Sequence, residues 1–122
     1  MALTLLVIFL NLKKLMIKKA VILCGGKATR FNKGKPGPLK PLLKVNNKSI
    51  LLRIIDIYLN SGVEKIILLG GYKFKQLKNF IANQKKINSK ICLIDTGLNT
   101  NTGGRLLKAK KEIGNGYFFF TY

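Results

Sequence analysis

Ala20-Val21-Ile22-Leu23-Cys24-Gly25-Gly26-Lys27-Ala28-Thr29-Arg30, followed after a short spacer by Pro38-Leu39-Lys40-Pro41, is the stretch on which the fold of this chain turns. Ala20 to Cys24 is a continuous apolar run without polar alternation, which predicts a short parallel strand buried on both faces. Gly25 and Gly26 predict a turn whose backbone N–H groups can approach phosphate oxygens, with Arg30 and Lys40 adding positive charge behind it. A Gly-Gly pair after a strand is weak evidence by itself. The dinucleotide fingerprint is missing, since there is no Gly-x-Gly-x-x-Gly and no acidic residue ending the second strand, and so is the P-loop with its Gly-Lys-Ser/Thr after four spacers.

Upstream of this stretch, Ala2 to Leu12 is apolar apart from Thr4 and Asn11, and Lys13 and Lys14 follow. The segment is too short to span a bilayer as a helix. It also lacks the basic n-region and small-residue cleavage site of a signal peptide. Residues 1–15 are therefore expected to be an apolar leader outside the fold, upstream of a natural start at Met16, with a weak membrane anchor as the competing view. The folded domain is expected to run over residues 16–122.

Downstream, Gly34, Pro36, Gly37 and Pro38 keep the segment Gly25–Pro41 in a long loop. Leu42 to Val45 is expected to be extended and turned by Asn46-Asn47. Ser49 is placed to cap a helix through about Asn60, and Gly62 to close it. Strands are expected over Lys65–Leu69, Lys90–Ile94 and Tyr117–Tyr122, and helices over Phe74–Asn83 and Gly103–Ile113. The order β-α-β-α-β-α-β predicts an α/β fold: a three-layer, Rossmann-like, mostly parallel sheet with helices on both faces. Ligands of such sheets bind outside the carboxyl ends of the strands. Gly25-Gly26, Gly70-Gly71, the Asp95–Arg105 segment and the last strand's end all fall at that edge.

The chain has 122 residues, enough for one domain with a real core. Its two cysteines, Cys24 and Cys92, lie in apolar strand-like runs and read as reduced core residues of a cytoplasmic protein. There is no histidine and no Cys-x-x-Cys, which argues against a zinc site. The formal net charge of +19 favours anionic partners. Most of the cations are lysines spread along the chain, so a solvated lysine-rich surface explains the charge as well as a nucleic-acid footprint does. A nucleic-acid-binding module would call for clustered arginines and aromatic-basic interleaving, and neither occurs.

Gly-Gly-x-Gly-Thr-Arg followed by Pro-Lys-Pro is the signature of the sugar-phosphate nucleotidyltransferases, and Gly25–Arg30 with Pro38–Pro41 resembles it. Ile94-Asp95-Thr96-Gly97, Thr102-Gly103-Gly104-Arg105-Leu106, Phe119-Phe120-Thr121-Tyr122 and Gly71-Tyr72-Lys73 resemble one branch, the glucose-1-phosphate cytidylyltransferases. The likeness covers about Met16 to Tyr122. It implies a truncated fold of the nucleotide-diphospho-sugar transferase type and transfer of CMP from CTP to glucose 1-phosphate. It implies nucleotide contacts from Leu23, Cys24, Gly25, Gly26, Lys27, Ala28, Thr29, Arg30, Lys40, Thr100 and Arg105. Arg30 and Lys40 would act on the phosphates, and Mg²⁺ would be the cofactor. Oligomers are possible in the full-length family, nucleic acid is not an expected partner, and a membrane is one only if the leader is real.

The pattern is departed from in three places. Ala28 replaces a loop glycine, and Leu39 stands between proline and lysine. The chain also stops at Tyr122, where the family continues Tyr-Gly-Asp with the aspartate as a metal ligand. Asp95 is the candidate carboxylate at the edge, and ordering the Thr96–Gly97 turn is its plainer role. A nucleotide-binding chain without turnover is the alternative this leaves open.

Overall fold

The computed structural model describes residues 2–14, 16–27 and 33–122. Helix α1 (Ala2–Lys14) precedes β1 (Lys19–Leu23), and the hairpin strands β2 (Lys44–Val45) and β3 (Lys48–Ser49) lead into α2 (Ile50–Asn60). Then come β4 (Lys65–Gly70), α3 (Phe74–Ala82), β5 (Ile91–Asp95), α4 (Thr102–Lys108), α5 (Lys110–Ile113) and β6 (Phe119–Thr121). The main sheet has the order β5-β4-β1-β6, with every pairing parallel. The α/β parallel-sheet expectation is borne out.

Successive side chains of a strand point to opposite faces, and β1 divides its apolar run accordingly. Ala20, Ile22 and Cys24 pack with Leu51 and Ile55 of α2 and with Leu77 and Ile81 of α3. Val21 faces the other way, with Ile67 and Leu69 of β4 and with Ala109 and Ile113. Each fully buried Leu or Ile contributes roughly 1.5–3 kcal/mol before entropy is charged against it. The chain steps from β1 to β4 to β5 in one direction, then returns across the sheet to β6. Crossovers of one hand moving in opposite directions pass over opposite faces, which is why α2 and α3 share one face and α4 and α5 take the other.

At the amino ends of the strands, the Lys19 amine donates to the Glu112 and Ile113 carbonyls at 3.0 Å each, closing the last turn of α5. Lys65 pairs with the Glu112 carboxylate at 2.8 Å. On the outer strand, the Tyr58 ring stacks on Phe119 with centroids 5.4 Å apart, and its hydroxyl is hydrogen-bonded to that of Thr121.

The structure corrects three local expectations. The helix over Gly103–Ile113 divides at Ala109, where ψ is 1° and both Ala109 and Ile113 turn in against the sheet. Lys40–Leu42 is a 3-10 turn containing Pro41, which leaves Lys44–Val45 as the extended part. Strand β6 is limited to the three residues that pair with Ala20–Ile22, and Tyr117 and Tyr122 are 81% and 91% exposed. The turn at Asn46-Asn47 is as expected, with φ of 49° and 64°, the conformation that suits a two-residue hairpin. Among the described residues no helix is long and apolar enough to cross a membrane. In α1, Leu3, Leu5, Leu6, Val7 and Ile8 are exposed.

Candidate nucleotide-binding edge

Because the sheet is parallel, the carboxyl ends of its strands open on one edge. The strand order reverses beside β1, with β4 on one side and β6 on the other, and open α/β sheets bind ligands at such a reversal. β1 runs on into Cys24–Lys27, β4 into Gly71–Lys73, and β5 into the turn from Thr96 to Asn101. Short backbone bonds hold the three exits together: Cys24 N–H to the Leu69 carbonyl at 2.8 Å and Thr96 N–H to the Gly70 carbonyl at 2.8 Å.

Arg105 lies at the centre of this edge, 5% exposed. Its Nη1 donates to Thr96 Oγ1 at 2.7 Å, to the Gly97 carbonyl at 2.9 Å and to the Gly70 carbonyl at 3.3 Å. Its Nη2 donates to the Gly25 carbonyl at 3.3 Å. One guanidinium therefore ties β1, β4 and β5 together just beyond their ends. Thr96 is itself buried and donates its hydroxyl to the Gly70 carbonyl at 2.7 Å.

Among the other residues singled out from the sequence, Gly25 is buried, whereas Gly26 is exposed and has open space where a Cβ would stand. Leu23 is half-buried against the α4–α5 face. Cys24 is buried, and desolvation pushes its thiol up to about 12, so it is a core residue rather than a nucleophile. Lys27 donates to Asn99 Oδ1 at 2.9 Å, bridging the exits of β1 and β5. Lys40 is exposed, with no side-chain hydrogen bond or ion pair among the described residues. The Thr100 hydroxyl donates to the Thr96 carbonyl at 2.5 Å. Ala28, Thr29 and Arg30 lie outside the described residues.

Three contributors were not among the candidate site residues. Tyr72 donates its hydroxyl to the Gly37 carbonyl at 2.6 Å, and Gly37 N–H donates to the Lys27 carbonyl at 3.0 Å, pinning the returning limb of the long loop. The Lys108 amine donates to the Thr96 carbonyl at 3.0 Å. Asn101 caps α4, accepting from Gly104 N–H at 2.7 Å.

Asp95 orders the turn after β5, its Oδ1 accepting from Gly97 N–H at 3.0 Å. Among the described residues no group of three or more His, Cys, Asp or Glu side chains is placed to hold a metal ion. Asp95 is the carboxylate that the described residues bring to this edge, with one of its oxygens taken by the turn.

Residues 20–108 match the MobA-like NTP transferase domain, and the chain belongs to that family of nucleotidyltransferases. It is 39% identical over 124 residues to the probable glucose-1-phosphate cytidylyltransferase of Bacillus subtilis, covering 85% of this chain and 49% of the relative. It is 30% identical over 126 residues to the glucose-1-phosphate cytidylyltransferase of Salmonella typhimurium, with the same two coverages. Among solved structures, HddC from Yersinia pseudotuberculosis complexed with GMP-PN superposes with a TM-score of 0.69 at 30% identity, over 81% of this chain and 44% of that one. The chain thus spans about half the length of the curated relatives it matches. The resemblance drawn from the loop motifs is borne out.

Proposed function

We propose that this chain forms the nucleotide-binding part of an enzyme that transfers CMP from CTP to glucose 1-phosphate, giving CDP-glucose and pyrophosphate. The observation that carries the reading is the convergence of Gly25-Gly26, Gly71 and the Thr96–Arg105 segment on one sheet edge, at the reversal of strand order. The identity to the two cytidylyltransferases supports the choice of base and sugar. In the reaction, a phosphate oxygen of the sugar phosphate attacks the α-phosphorus of CTP. The new P–O bond forms as the bond to the bridging oxygen breaks, and pyrophosphate leaves with the electron pair. Such transfers depend on positioning and charge neutralisation. The exposed Gly26 turn offers close backbone approach, Lys40 an uncommitted ammonium, and Arg30 a guanidinium for the developing charge.

A second reading is nucleotide binding without turnover. Two measurements separate the readings. CTP is expected to raise the melting temperature more than ATP does, and equal shifts would count against the cytidylyl assignment. Pyrophosphate release from CTP with glucose 1-phosphate indicates the enzyme; CTP-selective binding with no release indicates the second reading.

A further inference from the structure

Tyr72 holds both limbs of the long loop between β1 and Lys40, one with its backbone and one with its side chain. Its N–H donates to the Gly25 carbonyl on the outgoing limb at 3.4 Å. Its hydroxyl donates to the Gly37 carbonyl on the returning limb at 2.6 Å. Gly37 N–H donates in turn to the Lys27 carbonyl at 3.0 Å, so the two limbs are joined at the neck as well as gripped. Gly37 is buried, and a buried carbonyl left without a donor is costly, so the hydroxyl meets a need that a phenylalanine could not. The ring is held independently of that bond. It packs against the α2–α3 core, and Lys73 Nζ lies 5.4 Å from its centroid.

We propose that Tyr72 is a positioning residue for Lys40. Two residues beyond Gly37, Leu39 is 2% exposed in the same core. Lys40 follows it, exposed and at the head of the 3-10 turn Lys40–Leu42. Gly37 and Leu39 are thus two fixed points on one short limb. With both in place the direction of the limb is set, and so is the point from which the Lys40 ammonium reaches out. With Leu39 alone the limb can pivot about one side chain, and the ammonium loses its aim. A cation already in place gives more to a phosphate than one that must be ordered on binding. This rests on the reading of the edge as a nucleotide site, with Lys40 acting on the phosphates.

The test is a double-mutant cycle on the full chain with Tyr72→Phe, Lys40→Ala and the two combined. CTP affinity is read by calorimetry at a temperature where all four chains are folded. Tyr72→Phe keeps the ring and the backbone bond to Gly25 and removes only the hydroxyl. It is expected to weaken CTP binding by about fivefold, the scale of one hydrogen bond. In the Lys40→Ala background the same change should cost less than about twofold, because the aim of an absent ammonium cannot matter. An undiminished loss without Lys40 would overturn the positioning role. So would unchanged CTP affinity in Tyr72→Phe, and faster exchange of the Gly37 amide beside it would mark a bond that only stabilises the loop. Should Lys40→Ala bind CTP too weakly to measure, the Leu43 amide decides, since it donates to the Lys40 carbonyl at 3.1 Å. Its exchange is expected to quicken in Tyr72→Phe together with that of Gly37, and unchanged exchange there would overturn the role. If the wild-type chain binds no CTP, the proposed function falls and this role with it; if it binds CTP and the cycle shows no coupling, this role alone falls.

Discussion

Ser49 shows how far a single side chain can be read in advance. Its hydroxyl accepts from Leu52 N–H at 3.1 Å, the cap anticipated from its place before an apolar helical run. Ser49→Ala is expected to cost about 1 kcal/mol of stability in a denaturant titration, with nucleotide binding unchanged. Asn101 was harder to foresee, because the polar run from Asn99 to Thr102 offers several capping side chains at adjacent positions and no apolar period to choose among them. Arg105 was foreseen at the edge but not as a buried group, since its partners include a carbonyl 80 residues earlier in the chain. Cys24 gives a second expectation at this scale. With its thiol raised to about 12, a thiol reagent at pH 8 should leave Cys24 unlabelled in the folded chain and react with it only on unfolding. Tyr72→Phe removes the donor to the Gly37 carbonyl, and the Gly37 amide is expected to exchange with solvent several-fold faster, on the scale of one lost hydrogen bond of about 1 kcal/mol.

The elements were legible wherever one periodicity dominated. Lys65–Gly70 is apolar enough to need burial on both faces, and α2 shows a helical stripe with clear stops at Ser49 and Gly62. The division of the last helix at Ala109 was not legible. Its residues keep helical spacing on both sides of the break, and only the sheet beneath shows that Ala109 and Ile113 must both turn inward. The link between β4 and α5 carries a pH dependence. The hydrogen bond from Lys65 holds the Glu112 carboxyl below its ordinary 4.5, and Lys65 is itself raised above 10.5 by the same bond. The stabilisation from Glu112 is therefore full above the ordinary carboxylate value and lost as pH falls through the lowered folded one. The stabilisation from Lys65 is lost only as pH rises through its raised value. The wild-type chain should melt above Glu112→Gln at pH 7, with the gap closing below about pH 4. Both partners are partly exposed, so the gap should also shrink with salt.

At the scale of the molecule, a +19 charge on 122 residues means strong self-repulsion in the folded state. Raising sodium chloride from roughly 20 to 300 mM, which shortens the screening length several-fold, is expected to raise the melting temperature measurably. A fall instead would mean that specific ion pairs outweigh the repulsion. The same titration applied to mixed-sequence DNA tests the charge as a nucleic-acid footprint, which would show as salt-sensitive binding that excess CTP does not displace. The gathering of the glycine turns on one edge could be read from the chain because a parallel sheet places all its strand exits together. The guanidinium tie inside that edge could not, because nothing local distinguishes Arg105 from a solvated cation on a short helix.

The return of the chain to β6 has a consequence for how the protein is made. β1, β4 and β5 form a contiguous three-stranded half from residues synthesised first, while the outer rim of β1 finds its partner only when Phe119–Thr121 arrive. Until then the backbone groups of Ala20, Val21 and Ile22 on that rim are a template for any extended peptide nearby. During biosynthesis the hazard is intermolecular strand capture at β1, and the Tyr58 contacts with Phe119 and Thr121 are interactions that a foreign strand in that place would lack.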